Sequence, residues 1–355
     1  MHVALVGLSF GRAFVPLYQN HPVVTEVSLC ETDPSVLAKV GDEFGIAKRH
    51  LSLDSVLEDP TVDAVHLLTP VPVHVSQSLA VLNSGRHCAC AVPIATSLED
   101  LDKVIAAADA SGKVYMMMET MVYTREFFYA RDIEFGPITF LQADYYQDLE
   151  APYGDYWRYV PPMHYATHAI APLLAIAKAR ATSVSCLGAG KLKPSICDSP
   201  VNPFPMQTAH FKLEGTDAVA QVNRAWYQTA RPYVEAFNIY GELRGFEWQQ
   251  LEEEEPLVFE LPPVQHEIRW RNASATRVCP PLRPELYPAS LASHADGGHS
   301  GSHPHLVHEF ISAIVERREA WINARVAADW TAPGICAHES SLRGGEWVKV
   351  PSYAR

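Results

Sequence analysis

Basic charge is scarce in these 355 residues: 28 Lys and Arg stand against 41 Asp and Glu, a formal net charge of −13. A nucleic-acid binder needs a basic face, and no basic run occurs, so nucleic acid is excluded as a partner. Long apolar runs are missing as well. No window approaches the ~20 apolar residues that cross a bilayer, so no membrane partner is expected. The start, Met1-His2-Val3-Ala4-Leu5-Val6-Gly7, lacks the basic and apolar regions of a signal peptide, which points to the cytoplasm. Cysteine is sparse and odd in number, with seven residues at 30, 88, 90, 186, 197, 279 and 336. In a chain this long they read as reduced, buried thiols rather than a disulfide framework. Cys88-Ala89-Cys90 is too closely spaced for the usual redox or zinc pair and reads as structural. What the chain does have is 48% hydrophobic residues, enough to bury a large core in two domains.

The first 120 residues alternate strand and helix patterns. Residues 2–6, 27–30, 62–68, 87–91 and 114–118 read as strands, and helices are expected at 12–18, from Asp33-Pro34, at 51–57, 77–82 and 98–110. Pro34 sits at a favourable first-turn position behind Asp33. Strands separated by such helices imply right-handed crossovers and a parallel sheet covered on both faces. From about residue 137 the texture changes to strands with few helices: 139–146, 181–187, 210–213, 218–227 and 234–240. That suggests an α+β domain with a large, mostly antiparallel open-faced sheet. The expected division is therefore 1–121, an α/β Rossmann domain, and 122–355, a substrate-binding and oligomerisation domain. Residues 251–256 read as a solvated acidic loop, 280–302 as a long loop and 306–317 as a helix.

Directly after the first strand stands Gly7-Leu8-Ser9-Phe10-Gly11-Arg12, where backbone N–H groups and a helix start can face a pyrophosphate. The spacing is shorter than G-x-G-x-x-G, and Ser9 occupies the place of the middle glycine. The second strand ends at Glu31, about 20 residues on, where a carboxylate binds the ribose hydroxyls. Such an acid favours NAD over NADP, because it repels a 2′-phosphate. The competing reading of Glu31 is a solvent-facing loop acid.

From here the chain resembles the glucose–fructose oxidoreductase and inositol dehydrogenase (Gfo/Idh/MocA) family along nearly its whole length. The stretches that carry the resemblance are Asp63-Ala64-Val65-His66-Leu67-Leu68-Thr69-Pro70, His74, and Ala80 through Pro93. The resemblance implies that Gly7, Ser9, Phe10, Gly11, Glu31, Thr69, Pro70, His74 and Pro93 line the cofactor. It also implies a second, open-faced domain whose sheet builds a homo-oligomer, a dimer or tetramer. At residues 91–93, where the family carries Glu-Lys-Pro, this chain reads Ala91-Val92-Pro93. Valine cannot polarise a hydroxyl or pass on a proton as that lysine does.

The family's Asp and His pair, four residues apart, falls on His164 and His168 of Met163-His164-Tyr165-Ala166-Thr167-His168. On one helix, residues i and i+4 share a face, so both imidazoles are expected in one pocket as acid/base groups. The pattern Tyr165-x-Thr167-His168-x-x-x-Pro172 also resembles the NAD-dependent α-N-acetylgalactosaminidase branch, which lacks the lysine too. Met116-Met117-Met118-Glu119 resembles its strand end, where Glu119 would contact the cofactor, and Tyr145-Tyr146-Gln147 a segment supplying a substrate tyrosine, Tyr145. Trp157 and Arg158 offer a stacking face and a hydroxyl donor, although a buried Trp anchor is equally consistent. Gly297–His305 carries His299 and His303 in a flexible stretch. With Asp296 the lone local acid, it reads as a substrate lid rather than a metal site.

The leading expectation is an NAD-dependent oxidoreductase that passes hydride to or from a sugar or polyol, with His168 as acid/base and His164 and Tyr165 orienting substrate. The alternatives are an NAD-dependent glycosidase or lyase that oxidises its substrate transiently, and a dinucleotide-binding scaffold without turnover.

Overall fold

The computed structural model describes residues 1–150, 154–265 and 270–353. The chain forms two compact units, and they do not follow one cut. The first holds Met1–Tyr123, Leu282–Thr331 and Tyr353; the second holds Thr124–Pro281 and Ala332–Ser352. The expected division at 121/122 is amended accordingly, since residues 282–331 return to the first unit.

In the first unit, β1 (His2–Val6), β2 (Glu26–Cys30), β3 (Arg49–His50), β4 (Ala64–Leu67), β5 (His87–Cys90) and β6 (Tyr115–Met117) form an all-parallel sheet in the order β3-β2-β1-β4-β5-β6. β1 and β4 are buried at every position, as strands covered on both faces must be. The chain reverses its direction of travel across the sheet between β1 and β4. At such a switch point the carboxyl ends of the strands leave a crevice for a ligand. Gly7, Glu31 and Leu68-Thr69 follow those ends. The helices begin where their caps dictate: Asp33 accepts from the Ser35 and Val36 amides ahead of Pro34–Glu43, and Ser97 from Asp100 ahead of Leu98–Ser111. The stretch read as a loop over 280–302 contains three short 3-10 turns before helix Ser302–Glu316.

The second unit is built on nine strands. These are β7 (Ile138–Tyr146), β8 (Ala181–Ala189), β9 (Met206–Leu213), β10 (Val219–Ala225), β11 (Val234–Gly241), β12 (Arg244–Glu247), β13 (Leu257–Glu260), β14 (Ser274–Arg277) and β15 (Val348–Lys349). Their order is β14-β13-β12-β11-β7-β10-β9-β8-β15, antiparallel except between β7 and β10. Along β7 buried and half-exposed residues alternate, and helix Thr167–Ala177 packs against β7, β10 and β11. All seven cysteines are free; six are buried and Cys279 is exposed. No described helix is long and apolar enough to cross a membrane.

Candidate active site

Within the first unit the glycine turn closes against the end of β4. Gly7 has φ +91, and a Cβ there would lie 2.6 Å from the Leu68 carbonyl oxygen; at Gly11 a Cβ would lie 3.1 Å from the Leu68 side chain. Gly7 is thus required by its backbone angle and by close approach to backbone, whereas at Gly11 a side chain would press only on the end of Leu68. Ser9 is exposed, which explains why a side chain is tolerated at the middle position. The helical turn from Leu8 starts without a side-chain cap, so most of its first amides remain available to an anion. These two features, a cradle that a Cβ would fill and an uncapped helix start, fit a dinucleotide phosphate.

Glu31 does more than its expected ribose role requires. Its Oε2 accepts from the Leu8 amide at 3.0 Å, and its Oε1 accepts from the Thr32 and Asp33 amides at 2.8 and 3.3 Å. The carboxylate therefore stitches the tip of β2 to the glycine turn. Thr69 Oγ1 donates to Gln77 at 2.5 Å, and Pro70 leads into the 3-10 turn Val71–Val73.

His74 binds the remaining expected residues together. It is buried, with Nδ1 2.8 Å from the Pro93 carbonyl oxygen and Nε2 2.7 Å from that of Thr69. Carbonyls only accept, so both ring nitrogens must donate and the imidazole is a cation. Burial opposes that charge, yet the Cys90 sulfur and the two carbonyls outweigh it and push His74 up to about 9. The same pairing, against the effect of burial, brings the Cys90 thiol below its ordinary value. Val92, in the lysine position, is buried and joined to Pro93 by a cis peptide bond. Glu119, also buried, accepts from the Met121 amide at 2.9 Å. His299 and His303 lie in this first unit beside Phe10, with ring centroids 6.1 and 5.6 Å from it, and His303 also stacks on Phe14 at 4.2 Å.

In the second unit the expectation that His164 and His168 share a helix face is corrected. His164 lies in the 3-10 turn Pro162–Tyr165, and His168 in the following helix, Thr167–Ala177. The angular step from 164 to 168 is therefore not that of one helix. The His164 ring meets His338 at 4.9 Å; burial, then His338, push it down to about 3, so it is neutral. His168 instead joins Tyr145 and Tyr165, with ring centroids 5.7 and 5.5 Å away. Pro172 brings no N–H to the His168 carbonyl four residues before it. Tyr145 donates to Gln147 at 3.2 Å. Trp157 packs on Tyr165 and Trp226 at 4.9 and 5.0 Å, against a buried cluster that includes Leu149 and Tyr227, which favours the anchor over the stacking face. Arg158 is exposed and pairs with Asp155.

One residue escaped sequence reasoning. Arg224 is fully buried beneath this cluster, its guanidinium 3.5 Å from the ring centroids of both Tyr145 and Trp226. It donates to the backbone carbonyls of Tyr145 at 3.1 Å and Tyr165 at 3.4 Å, so it joins β7 to the turn before His168. The register aligns Glu235, Tyr145, Arg224 and Gln207 in one row across four strands. Its signal was the period of two: Ala220, Val222 and Arg224 share the inward face of β10.

Residues 1–119 match the model of an oxidoreductase family with an NAD-binding Rossmann fold. The chain is similar to a 1-carboxy-3-chloro-3,4-dihydroxycyclohexa-1,5-diene dehydrogenase of Comamonas testosteroni, 27% identical over 42% of this chain and 39% of the relative. It is also similar to a glycosyl hydrolase family 109 protein of Stenotrophomonas maltophilia, 27% identical over 36% of this chain and 31% of the relative. The chain thus spans well under two thirds of the length of the curated relatives it matches. Among solved structures, a levoglucosan dehydrogenase in complex with NADH and L-sorbose shares the fold with a TM-score of 0.80, at 19% identity and 99% coverage of both chains.

Proposed function

We propose that the whole chain is an NAD-dependent oxidoreductase acting on a sugar or polyol hydroxyl; the match of residues 1–119 to an NAD-binding domain of an oxidoreductase family supports this reading. The observation that carries the proposal is the Tyr145–Tyr165–His168 cluster, three rings with proton-carrying groups gathered over a buried arginine. Gly7, Ser9, Phe10, Gly11, Glu31, Thr69, Pro70, His74, Pro93 and Glu119 would hold the dinucleotide, which supplies the two-electron oxidant when bound. His168 takes the proton from the substrate hydroxyl as the carbinol carbon is oxidised and returns it in the reverse direction. Tyr165 orients that hydroxyl, and Tyr145 with Arg158 frames the ring of the substrate. His164, neutral and packed on His338, serves as a positioning group rather than as a second base.

Val92 gives a specific reason to retain a second reading. With no lysine at that position, and with similarity to glycosyl hydrolase family 109 proteins, the oxidation can be transient, so that a glycosidic bond is cleaved with no net change in the cofactor. A homo-oligomer built on the nine-stranded sheet and a reducing compartment, which suits seven free thiols, complete the proposal.

The test mixes the purified chain and NAD⁺ with a panel of sugars, polyols and aryl glycosides. Accumulating reduced nicotinamide supports the dehydrogenase, and aglycone release without it supports the glycosidase. Intact NADH binding with neither reaction would leave a scaffold and overturn the proposal.

A further inference from the structure

Four consecutive residues in the first unit, Gly298, His299, Ser300 and Gly301, hold φ values of +53, +35, +52 and +83. L-residues rarely adopt such angles, and strain of this kind persists where a ligand site needs the shape. The run ends at Gly301, which starts the fifteen-residue helix Ser302–Glu316 without a side-chain cap; the Ser302 amide donates to the Gly298 carbonyl at 3.3 Å and Pro304 has no N–H, which leaves the His303 amide. The run is wound so tightly that a Cβ on Gly298 would lie 2.0 Å from the His303 ring. That ring, in the first turn of the helix, is only 3% exposed, and its Nε2 has no hydrogen-bond partner. A buried polar atom without a partner is costly and calls for an explanation. His303 stacks on Phe14 and stands edge-on to Phe10, a ring of the glycine turn with 45% of its surface exposed. The strained run, through His299, the His303 ring and the glycine turn thus meet at Phe10.

We propose that Gly298–His303 is a second wall of the dinucleotide site, where His303 Nε2, with the His303 backbone amide, takes a phosphate oxygen of the cofactor. This rests on the NAD assignment and moves His299 and His303 from the substrate to the cofactor. Burial, with His299 adding to it, holds the His303 imidazole down to about 3, so it acts as a neutral donor rather than a cation.

The test is NADH titration of the full chain by nicotinamide fluorescence, with inorganic pyrophosphate as competitor and unfolding midpoints in parallel. His303→Phe keeps the stacking ring and removes the donor; NADH Kd should rise at least about ten-fold, as for one hydrogen bond to a charged group. His303→Gln, which retains a donor, should stay within about three-fold. If His303→Phe does not fold, Gly298→Ala, whose Cβ displaces the ring, replaces it in the comparison with His303→Gln. Affinities of all variants within about two-fold of the parent, or equal losses in the Phe and Gln variants, would overturn the proposal. An unmutated chain that binds no NADH would overturn the cofactor assignment itself, a separate result.

Discussion

Replacing Gly7 by alanine isolates the contact on which the glycine turn depends. Gly7 has φ +91 and ψ 106, a region that is nearly closed to L-residues and costs ~1–3 kcal/mol. The new Cβ would also lie 2.6 Å from the Leu68 oxygen, 2.8 Å from its carbon and 3.1 Å from the Thr69 nitrogen. All three are backbone atoms, so relief requires the end of β4 to retreat, at a further ~1–3 kcal/mol. The total is about 2–6 kcal/mol. Gly112→Ala is the matched control: Gly112 has φ +62 but no atom within 4 Å of its Cβ, so only the backbone penalty of about 1 kcal/mol remains. Urea unfolding of both variants gives the stability difference, and NADH titration gives the functional one. Because Thr69-Pro70 follows the displaced strand end, Gly7→Ala should weaken NADH by at least about ten-fold, while Gly112→Ala leaves it unchanged. A Gly7→Ala chain as stable as the Gly112→Ala chain, with unaltered NADH affinity, would refute the reasoning.

Three further outcomes follow from the same geometry. Glu31→Gln should weaken NADH and narrow the preference over NADPH, since it removes both the 2′-phosphate repulsion and a charged anchor of the Leu8 amide; competitive titration of the two cofactors reads the ratio. His66 is fully buried, and burial, then His303, push it down to about 3. The unfolded chain therefore takes up a proton below about 6.5 that the folded chain refuses, and stability falls as pH drops from there towards about 3. His66→Phe should remove about 1.4 kcal/mol per pH unit from that slope, and an unchanged slope in acid-range urea unfolding would contradict the assignment. His164→Phe should alter the KM of the substrate more than the pH profile of kcat, because a neutral group packed on His338 positions rather than titrates.

The parallel sheet was legible because its strands are buried on both faces and read as apolar runs, and because Asp33-Pro34 announces a helix start. Strands β12, β13 and β14 escaped because each is only four residues long and none alternates, and Ser274–Arg277 of β14 are exposed throughout. Helix Ala324–Leu342 was hidden by Pro333-Gly334, a pair that reads as a break. Here Gly334 is needed because a Cβ would meet the Met163 carbonyl at 2.2 Å. The gathering of Glu31, Thr69, His74 and Pro93 beyond the strand ends was readable, because their spacing along the chain is fixed by the crossovers. The His164 and His168 geometry was not, since one residue of non-helical backbone at Ala166 separates their elements. Arg224 lay in plain alternation, but a buried charge in a strand is understood only once Tyr145 and Trp226 are seen on either side of it.

The central claim is that this chain oxidises a hydroxyl with NAD and that His168 moves the proton. The most direct measurement is single-turnover formation of reduced nicotinamide by the unmutated chain and by His168→Ala, at saturating NAD⁺ and with the best sugar from the panel. The account predicts a loss of about 10²–10⁴-fold in rate, with NADH affinity and unfolding midpoint retained. Equal rates in the two proteins would contradict it.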